Sequence, residues 1–313
     1  MPDSPSILIV GAGAIGAFYG SALARQGGKV SVVCRSDYDV VSRDGYKIHS
    51  SLLGDHEFRP HRVLRTVAEC TEAPDYVILT VKVLPEVDRA ALIRPAVGPR
   101  TVIVLIENGI DIEPEVAAAF PDNELLSGLA FVAIVHSGPG EIRHRAAGPL
   151  TLGRYPRGVT PAAQRLATML EGSGIRCTLA EDLVAARWQK AVWNTAFNPI
   201  SILGGVLDTA MMLRTAEDRE FIRRTMQEVC DVAAADGRPM NSNLIERYIA
   251  DTHAIAGYKT SMAQDYENGR PLEIEAIIGN AVRAGRRLGV AMPTLEAVYA
   301  LARMVAGAKS LSR

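Results

Sequence analysis

The 313-residue chain has no apolar run of membrane-spanning length, and its first residues lack the basic stretch, apolar run and cleavage site of a secretory leader. Those absences set aside a membrane partner and lead to the expectation of a cytoplasmic protein. It also lacks charge of one sign. Lys and Arg number 34 against 35 Asp and Glu, a net charge of -1, so nothing global points to nucleic acid or an anionic surface. Cysteine is sparse: Cys34, Cys70, Cys177 and Cys230 stand far apart with no CxxC. That pattern excludes a disulfide framework and a zinc site, and reads as scattered thiols in a reducing compartment. Internal repeats and low-complexity segments are missing too. What remains is a globular composition, 48% hydrophobic and 22% charged, on a chain long enough for two domains.

The first of these opens on Ser6-Ile7-Leu8-Ile9-Val10, a short apolar run of the kind buried on both faces of a parallel sheet. It leads straight into Gly11-Ala12-Gly13-Ala14-Ile15-Gly16, then a helical stretch over 17–26 and a second strand over 29–34. This is strand, G-x-G-x-x-G, helix, strand, in the order of a dinucleotide-binding unit. Gly11 permits the turn, Gly13 lets a phosphate approach the backbone, and Gly16 lets helix and strand pack closely. The N–H groups at the helix start then face the pyrophosphate. The bland alternative is a glycine turn with no ligand.

The second strand ends on Cys34-Arg35-Ser36, where NAD-binding chains usually place an acid. Arg35 can grip a 2′-phosphate with charge-assisted bonds, so NADPH is the expected cofactor. Asp37 and Asp39 are alternatives for the acid if the loop folds differently. Further strands are expected over 76–81, ending at Lys82, and over 101–106, ending at Glu107-Asn108-Gly109. Ligands sit beyond the carboxyl ends of such strands, which makes Lys82 and Asn108 candidates to face the cofactor. The alternatives are a solvated lysine and an Asn-Gly turn supplying positive φ. Short strands over 130–135, 141–144 and 150–152, separated by Gly-Pro turns, read as an antiparallel extension. A helix over 161–171 and a strand over 175–179 complete a first domain spanning 1–181.

From residue 182 helical periodicity replaces strand signals, giving a second domain over 182–313. Helices are expected over 182–198, ended by Pro199, then over 218–236, 242–251, 272–288 and 293–306. The first of them carries Trp188-Gln189-Lys190, then Asn194 and Asn198. Positions i, i+4 and i+8 share a helix face, and the flanking residues Ala191, Val192, Trp193, Ala196 and Phe197 are apolar. A buried lysine between two buried amides is costly unless those groups meet a polar ligand or each other. The competing reading is a polar stripe facing solvent.

These residues resemble the ketopantoate reductases (2-dehydropantoate 2-reductases) almost end to end. The resemblance rests on Gly11 to Gly16, on Thr80-Val81-Lys82 and on Asn108-Gly109. It extends through Gly138-Pro139-Gly140-Glu141-Ile142-Arg143-His144 with Leu152-Gly153, and through Trp188-x-Lys190-x-x-x-Asn194-x-x-x-Asn198-Pro199. Thr260-Ser261-Met262-Ala263-Gln264-Asp265, Glu273-Ile274-Glu275 and Gly279 match the carboxyl-terminal block. The resemblance implies an α/β fold: a Rossmann-type doubly wound sheet domain followed by an all-α domain like the C-terminal half of 6-phosphogluconate dehydrogenase. It implies NADPH-dependent reduction of ketopantoate to pantoate, a step toward pantothenate and coenzyme A, with substrate between the halves.

By the same resemblance, Lys190 would be the general acid, and Glu273 would bind a substrate hydroxyl and set the lysine's state. Asn194 and Asn198 would hold substrate oxygens and Ser261 the carboxylate. Asn108 and Lys82 would lie near nicotinamide and ribose, Arg35 at the 2′-phosphate, and Gly11, Ala12, Gly13, Ala14, Ile15 and Gly16 around the pyrophosphate. The chemistry agrees, since hydride addition to a ketone makes an alkoxide that needs a proton and a cation. Plainer readings are an exposed acid at a helix start for Glu273 and a helix cap for Ser261.

The chain departs from the family pattern at Glu107, where an uncharged residue is expected, and at Tyr258, where the family can carry asparagine. Both leave open another branched or hydroxylated 2-ketoacid as substrate. From a different class comes an NADPH-binding protein without turnover, against which the retained Lys190, Asn194, Asn198, Ser261 and Glu273 argue. No metal is called for, and a two-fold homodimer is the base-rate expectation for assembly.

Overall fold

The computed structural model describes residues 4–255 and 257–311; residues 1–3, 256, 312 and 313, assigned above to the two domains, lie outside them. The chain divides into two compact units. The first comprises Met1–Lys82, Val87–Glu107 and Glu113–Val184, and the second Val83–Glu86, Asn108–Ile112 and Ala185–Arg313. Two short segments from the strand-rich half thus belong to the helical unit.

The first unit is built on a ten-stranded sheet. Its strands are β1 (Ser6–Val10), β2 (Lys29–Val33), β3 (Tyr46–Ser50), β4 (His56–Phe58), β5 (Val63–Leu64), β6 (Tyr76–Leu79), β7 (Val102–Ile106), β8 (Leu125–Gly138), β9 (Glu141–Arg154) and β10 (Cys177–Leu179). The order is β4-β3-β9-β8-β7-β6-β1-β2-β5, with β10 beside β9. From β5 to β8 every pairing is parallel. Helices Ala14–Arg25 and Pro161–Gly172 pack on this sheet. β1 explains why its sequence carries no alternation: Ile7 and Ile9 enter one apolar layer, Leu8 and Val10 the other. The order of strands reverses direction at β1 and β6, and it is there that Gly11 and Thr80 begin their loops.

Two expectations need correction. The three short strands over 130–152 are instead two 14-residue strands, β8 and β9, paired antiparallel with register shifts that absorb Gly148-Pro149. A bulged ladder tolerates the glycine and proline that suggested a break. In the second unit, Pro199 does not end its helix, which runs Leu183–Leu203 with the proline inside. A proline removes one backbone bond, here to the carbonyl of Thr195. Burial of Ala196, Phe197 and Ile202 carries the helix past it.

That helix lies in a unit with helices Ala216–Ala235, Leu244–Ala254, Ser261–Glu267, Asn280–Leu288 and Pro293–Leu311. Its core includes Trp188, Val192, Met226, Val229, Ile278 and Val282, all essentially buried. Thr215 and Asp218 form a capping box that starts Ala216–Ala235. Asn280–Leu288 is entered through a π-helical turn, Glu275–Gly279, and closed by Gly289 at φ 70°. Among the described residues no helix is long and apolar enough to cross a membrane.

Candidate active site

In the first unit the glycine turn is shaped by close contacts. Gly11 has φ 90°, and a Cβ there would lie 2.6 Å from Val81 Cγ1. A Cβ on Gly16 would lie 2.6 Å from Thr80 Oγ1 and 2.8 Å from Ile9 Cγ2. Gly13 differs: a Cβ there meets only Gly11 O, at 4.0 Å, so this side of the turn stays open. Gly13 also starts helix Ala14–Arg25 with no side-chain cap, leaving the first-turn N–H groups of Ala14, Ile15 and Gly16 without a side-chain acceptor. The Thr80 hydroxyl donates to Gly11 O at 2.7 Å and the Tyr46 hydroxyl to Ala12 O at 2.7 Å, fixing the turn from two sides. An uncapped helix start facing open space across a bare glycine fits a pyrophosphate.

Arg35 follows β2 and is exposed. Both alternative acids already have partners in the protein. Asp37 is buried, and its carboxylate accepts from Gly140 N at 2.9 Å and bonds His136. Burial pushes the Asp37 carboxyl upward, but the Gly140 and His136 bonds outweigh it and hold the group below the usual carboxylate range. Asp39 accepts from Arg65 at 2.7 Å. Lys82 is half-buried, three residues past the end of β6.

The second unit assembles a polar cluster from separate stretches of chain. Lys190 Nζ donates to Asn108 Oδ1 at 2.8 Å. Lys190 is 9% exposed; burial and the Arg187 guanidinium push its pKa down, Glu273 pushes it back up, and the result is about 7. Glu273 is half-buried just before the π-helical turn, where its Oε1 accepts from Val83 N at 3.0 Å.

The segment bearing Asn108 is tied down at the two residues that follow, Gly109 and Ile110. Gly109 has φ 115°, and a Cβ there would sit 2.7 Å from Ala276 O. Ile110 N donates to that same carbonyl at 3.0 Å, Asn280 Nδ2 donates to Ile110 O, and Arg187 Nη1 donates to Gly109 O at 3.0 Å. The positive φ read from Asn-Gly and the polar role of Asn108 therefore coexist. The π-helical turn supplies the Ala276 carbonyl, in keeping with the frequency of such turns at working sites.

Asn194 and Asn198 follow Lys190 on the same helix. Asn198 is 1% exposed and its Oδ1 accepts no bond among the described residues, an expensive arrangement for a buried amide. Asn194 is half-buried. Ser261 is exposed at the start of its helix but is not the cap: Thr260 is, accepting from Ala263 N at 3.0 Å. The hydroxyls of Thr260 and Ser201 meet at 2.9 Å, joining the Ser261 segment to the end of the lysine helix.

The acid flagged in the sequence at position 107 has a structural partner: Glu107 Oε2 accepts from Arg89 at 2.8 Å, with both side chains buried in the first unit. Tyr258 is half-buried with its ring 6.3 Å from that of Trp193. Sequence reasoning missed Arg187, the Val83 N–H and the Ala276 carbonyl. Arg187 left a signal, a charged residue three positions before Lys190 in an apolar helix; backbone groups leave none.

Comparison with known proteins covers both units. The family profile described as Ketopantoate reductase PanE/ApbA matches residues 7–157, and that for the C terminal of the same family matches residues 182–306. A 2-dehydropantoate 2-reductase from Nostoc sp. is 31% identical over 296 residues, covering 93% of this chain and 92% of the relative. A crystal structure of 2-dehydropantoate 2-reductase from Methylococcus capsulatus is 52% identical with TM-score 0.92, covering 97% of this chain and 98% of that one. Another from Geobacter metallireducens is 33% identical with TM-score 0.90, covering 96% and 99%.

Proposed function

The chain belongs to the ketopantoate reductase family, and from that premise we propose that it reduces 2-dehydropantoate to pantoate with NADPH, in the route to pantothenate and coenzyme A. The observation that carries the reading is Lys190: nearly buried, bonded to Asn108, with a pKa of about 7 and two amides on the following turns of its helix.

When bound, NADPH supplies the hydride that adds to the ketone carbon. Gly11, Ala12, Gly13, Ala14, Ile15 and Gly16 hold its pyrophosphate, Arg35 its 2′-phosphate, and Lys82 with Asn108 the ribose and nicotinamide end. Lys190 delivers a proton to the ketone oxygen as negative charge develops there, and its own charge stabilises that oxygen until the proton has moved. A pKa near 7 keeps a protonated fraction at neutral pH while making the proton easy to give. Asn108 aims Nζ through the bond to Oδ1. Glu273 keeps the lysine from losing its proton entirely and accepts from a substrate hydroxyl. Asn194 and Asn198 bond substrate oxygens, a substrate hydroxyl donating to the buried Asn198 Oδ1 that has no donor among the described residues, and Ser261 bonds the carboxylate.

NADPH consumption, followed by absorbance with ketopantoate and with pyruvate and 2-oxoisovalerate as controls, tests this. Fast turnover with ketopantoate alone supports the reading; no rate above the controls overturns the substrate assignment. A second reading, a different branched or hydroxylated 2-ketoacid, rests on the Tyr258 ring beside Trp193. It predicts that kcat/KM across a ketoacid panel peaks away from ketopantoate.

A further inference from the structure

Between the end of β2 and the edge of the sheet lies a second guanidinium. β5 is a two-residue strand pairing parallel with β2, Val33 opposite Leu64, and Cys34 N donates to Leu64 O at 3.1 Å. Arg65 therefore leaves the carboxyl end of β5 beside the point where Arg35 leaves the carboxyl end of β2. Its guanidinium lies over the Tyr38 ring, 3.8 Å from the centroid, and Nη2 donates to Asp39 Oδ1 at 2.7 Å. Arg65 is 57% exposed and Asp39 83% exposed in their side chains. A guanidinium has five donors, and a stacked one presents its remaining N–H edge to solvent in a fixed plane.

We propose that Arg65 is a second determinant of cofactor choice, which closes with Arg35 on a phosphate monoester at the 2′ position of the adenosine ribose, with Asp39 as the competing anion. This rests on the NADPH reading above. The carboxyl end of β2 is where a dinucleotide's adenosine ribose sits, and two neighbouring strand ends each deliver a guanidinium there. Tyr38 holds the plane of Arg65, so bidentate contact costs little ordering. Asp39 sets the selectivity from the other side. A 2′-phosphate, with more charge and more acceptor oxygens than one exposed carboxylate, displaces it, whereas a 2′-hydroxyl does not. A purely structural ion pair this exposed would contribute little and would not distinguish two cofactors.

The test is calorimetric titration of the full-length protein with NADP+, NAD+, 2′,5′-ADP and 5′-AMP, in wild type, Arg65→Gln, Arg35→Gln and Asp39→Asn. Arg65→Gln is expected to weaken NADP+ and 2′,5′-ADP by about tenfold or more, the loss of a charge-assisted contact, with NAD+ and 5′-AMP unchanged. Arg65→Lys, keeping charge without the fork, is expected to recover part of the loss. Asp39→Asn is expected to tighten NADP+ severalfold and leave NAD+ alone. Equal weakening of all four ligands by Arg65→Gln would assign Arg65 to holding the loop and overturn the proposal. A selective wild type whose selectivity survives Arg65→Gln but not Arg35→Gln would overturn it while leaving the NADPH reading standing. A wild type that binds NAD+ as tightly as NADP+ would remove both.

Discussion

The glycine turn of the first unit and the lysine cluster of the second solve opposite problems. In the proposed function the turn binds with backbone, so its requirements are steric: glycine where a Cβ would strike Val81, Thr80 or Ile9, and open space beside Gly13. The cluster works with side chains, so its requirements are electrostatic: a lysine held at a pKa of about 7 by burial, Arg187 and Glu273. The first can be written in six consecutive residues. The second needs Val83, Asn108, Lys190 and Glu273, drawn from four stretches of chain. Backbone sites are local, and side-chain sites with tuned pKa values are not.

The sharpest way to separate the two is Lys190→Ala. With Lys190 as the proposed general acid, its loss is expected to lower kcat/KM for the ketoacid by about 10²–10⁴-fold, with NADP+ affinity by calorimetry unchanged. Loss of cofactor binding as well would break the distinction between the two regions. Glu107→Ala comes next. It strands Arg89, a guanidinium with 2% side-chain exposure, and is expected to destabilise the fold by about 3–5 kcal/mol, toward the lower end because Glu115 still bonds Arg89 at 2.9 Å. Denaturant unfolding reads the loss, and the ranking of ketoacids should not change. A changed ranking would return position 107 to the substrate site.

Gly109→Ala puts the steric rule of the turn into the lysine cluster. At φ 115° and 2.7 Å from Ala276 O, the methyl cannot be placed without moving the segment. The expected cost is about 1–3 kcal/mol, read by thermal unfolding. A fall in kcat should accompany it, because Asn108 no longer aims Lys190.

The effect that depends most on conditions is the stability change in Lys190→Met. An unfolded lysine keeps its proton to about pH 10.5 and the folded one only to about 7. Between those values the folded chain binds fewer protons, so stability rises with pH across that window, and below pH 7 the full penalty applies. The methionine variant should therefore be the more stable protein at pH 6, by a few kcal/mol at most. Each tenfold loss of proton affinity on folding costs about 1.4 kcal/mol, and the lost Asn108 bond offsets part of the gain. The gap should close toward pH 10. A wild type more stable than the variant at pH 6 would mean that Lys190 is not held against its charge.

Legibility followed the same division. β1, the glycine turn and the apolar faces of the strands were readable because their causes lie within a few residues. β9 was read as two fragments because Gly148-Pro149 looks like a break, whereas the register shifts of the ladder absorb it. Pro199 misled for a related reason: burial on both sides outweighed one missing bond. Lys190, Asn194 and Asn198 announced themselves by spacing. Their anchoring did not, because Arg187 acts on the Gly109 carbonyl and Glu273 on the Val83 N–H, and neither backbone partner has a sequence signature. The Ser261 reading turned on its neighbour, since Thr260 does the capping.

The central claim is that a buried lysine of lowered pKa gives the proton. The pH dependence of kcat/KM for ketopantoate reduction, at saturating NADPH from pH 6 to pH 10, tests it most directly. The acid must be protonated, so the rate should hold below about pH 7 and fall about tenfold per pH unit above it. A rate that stays flat to pH 10 would contradict the account and remove Lys190 from the role of acid.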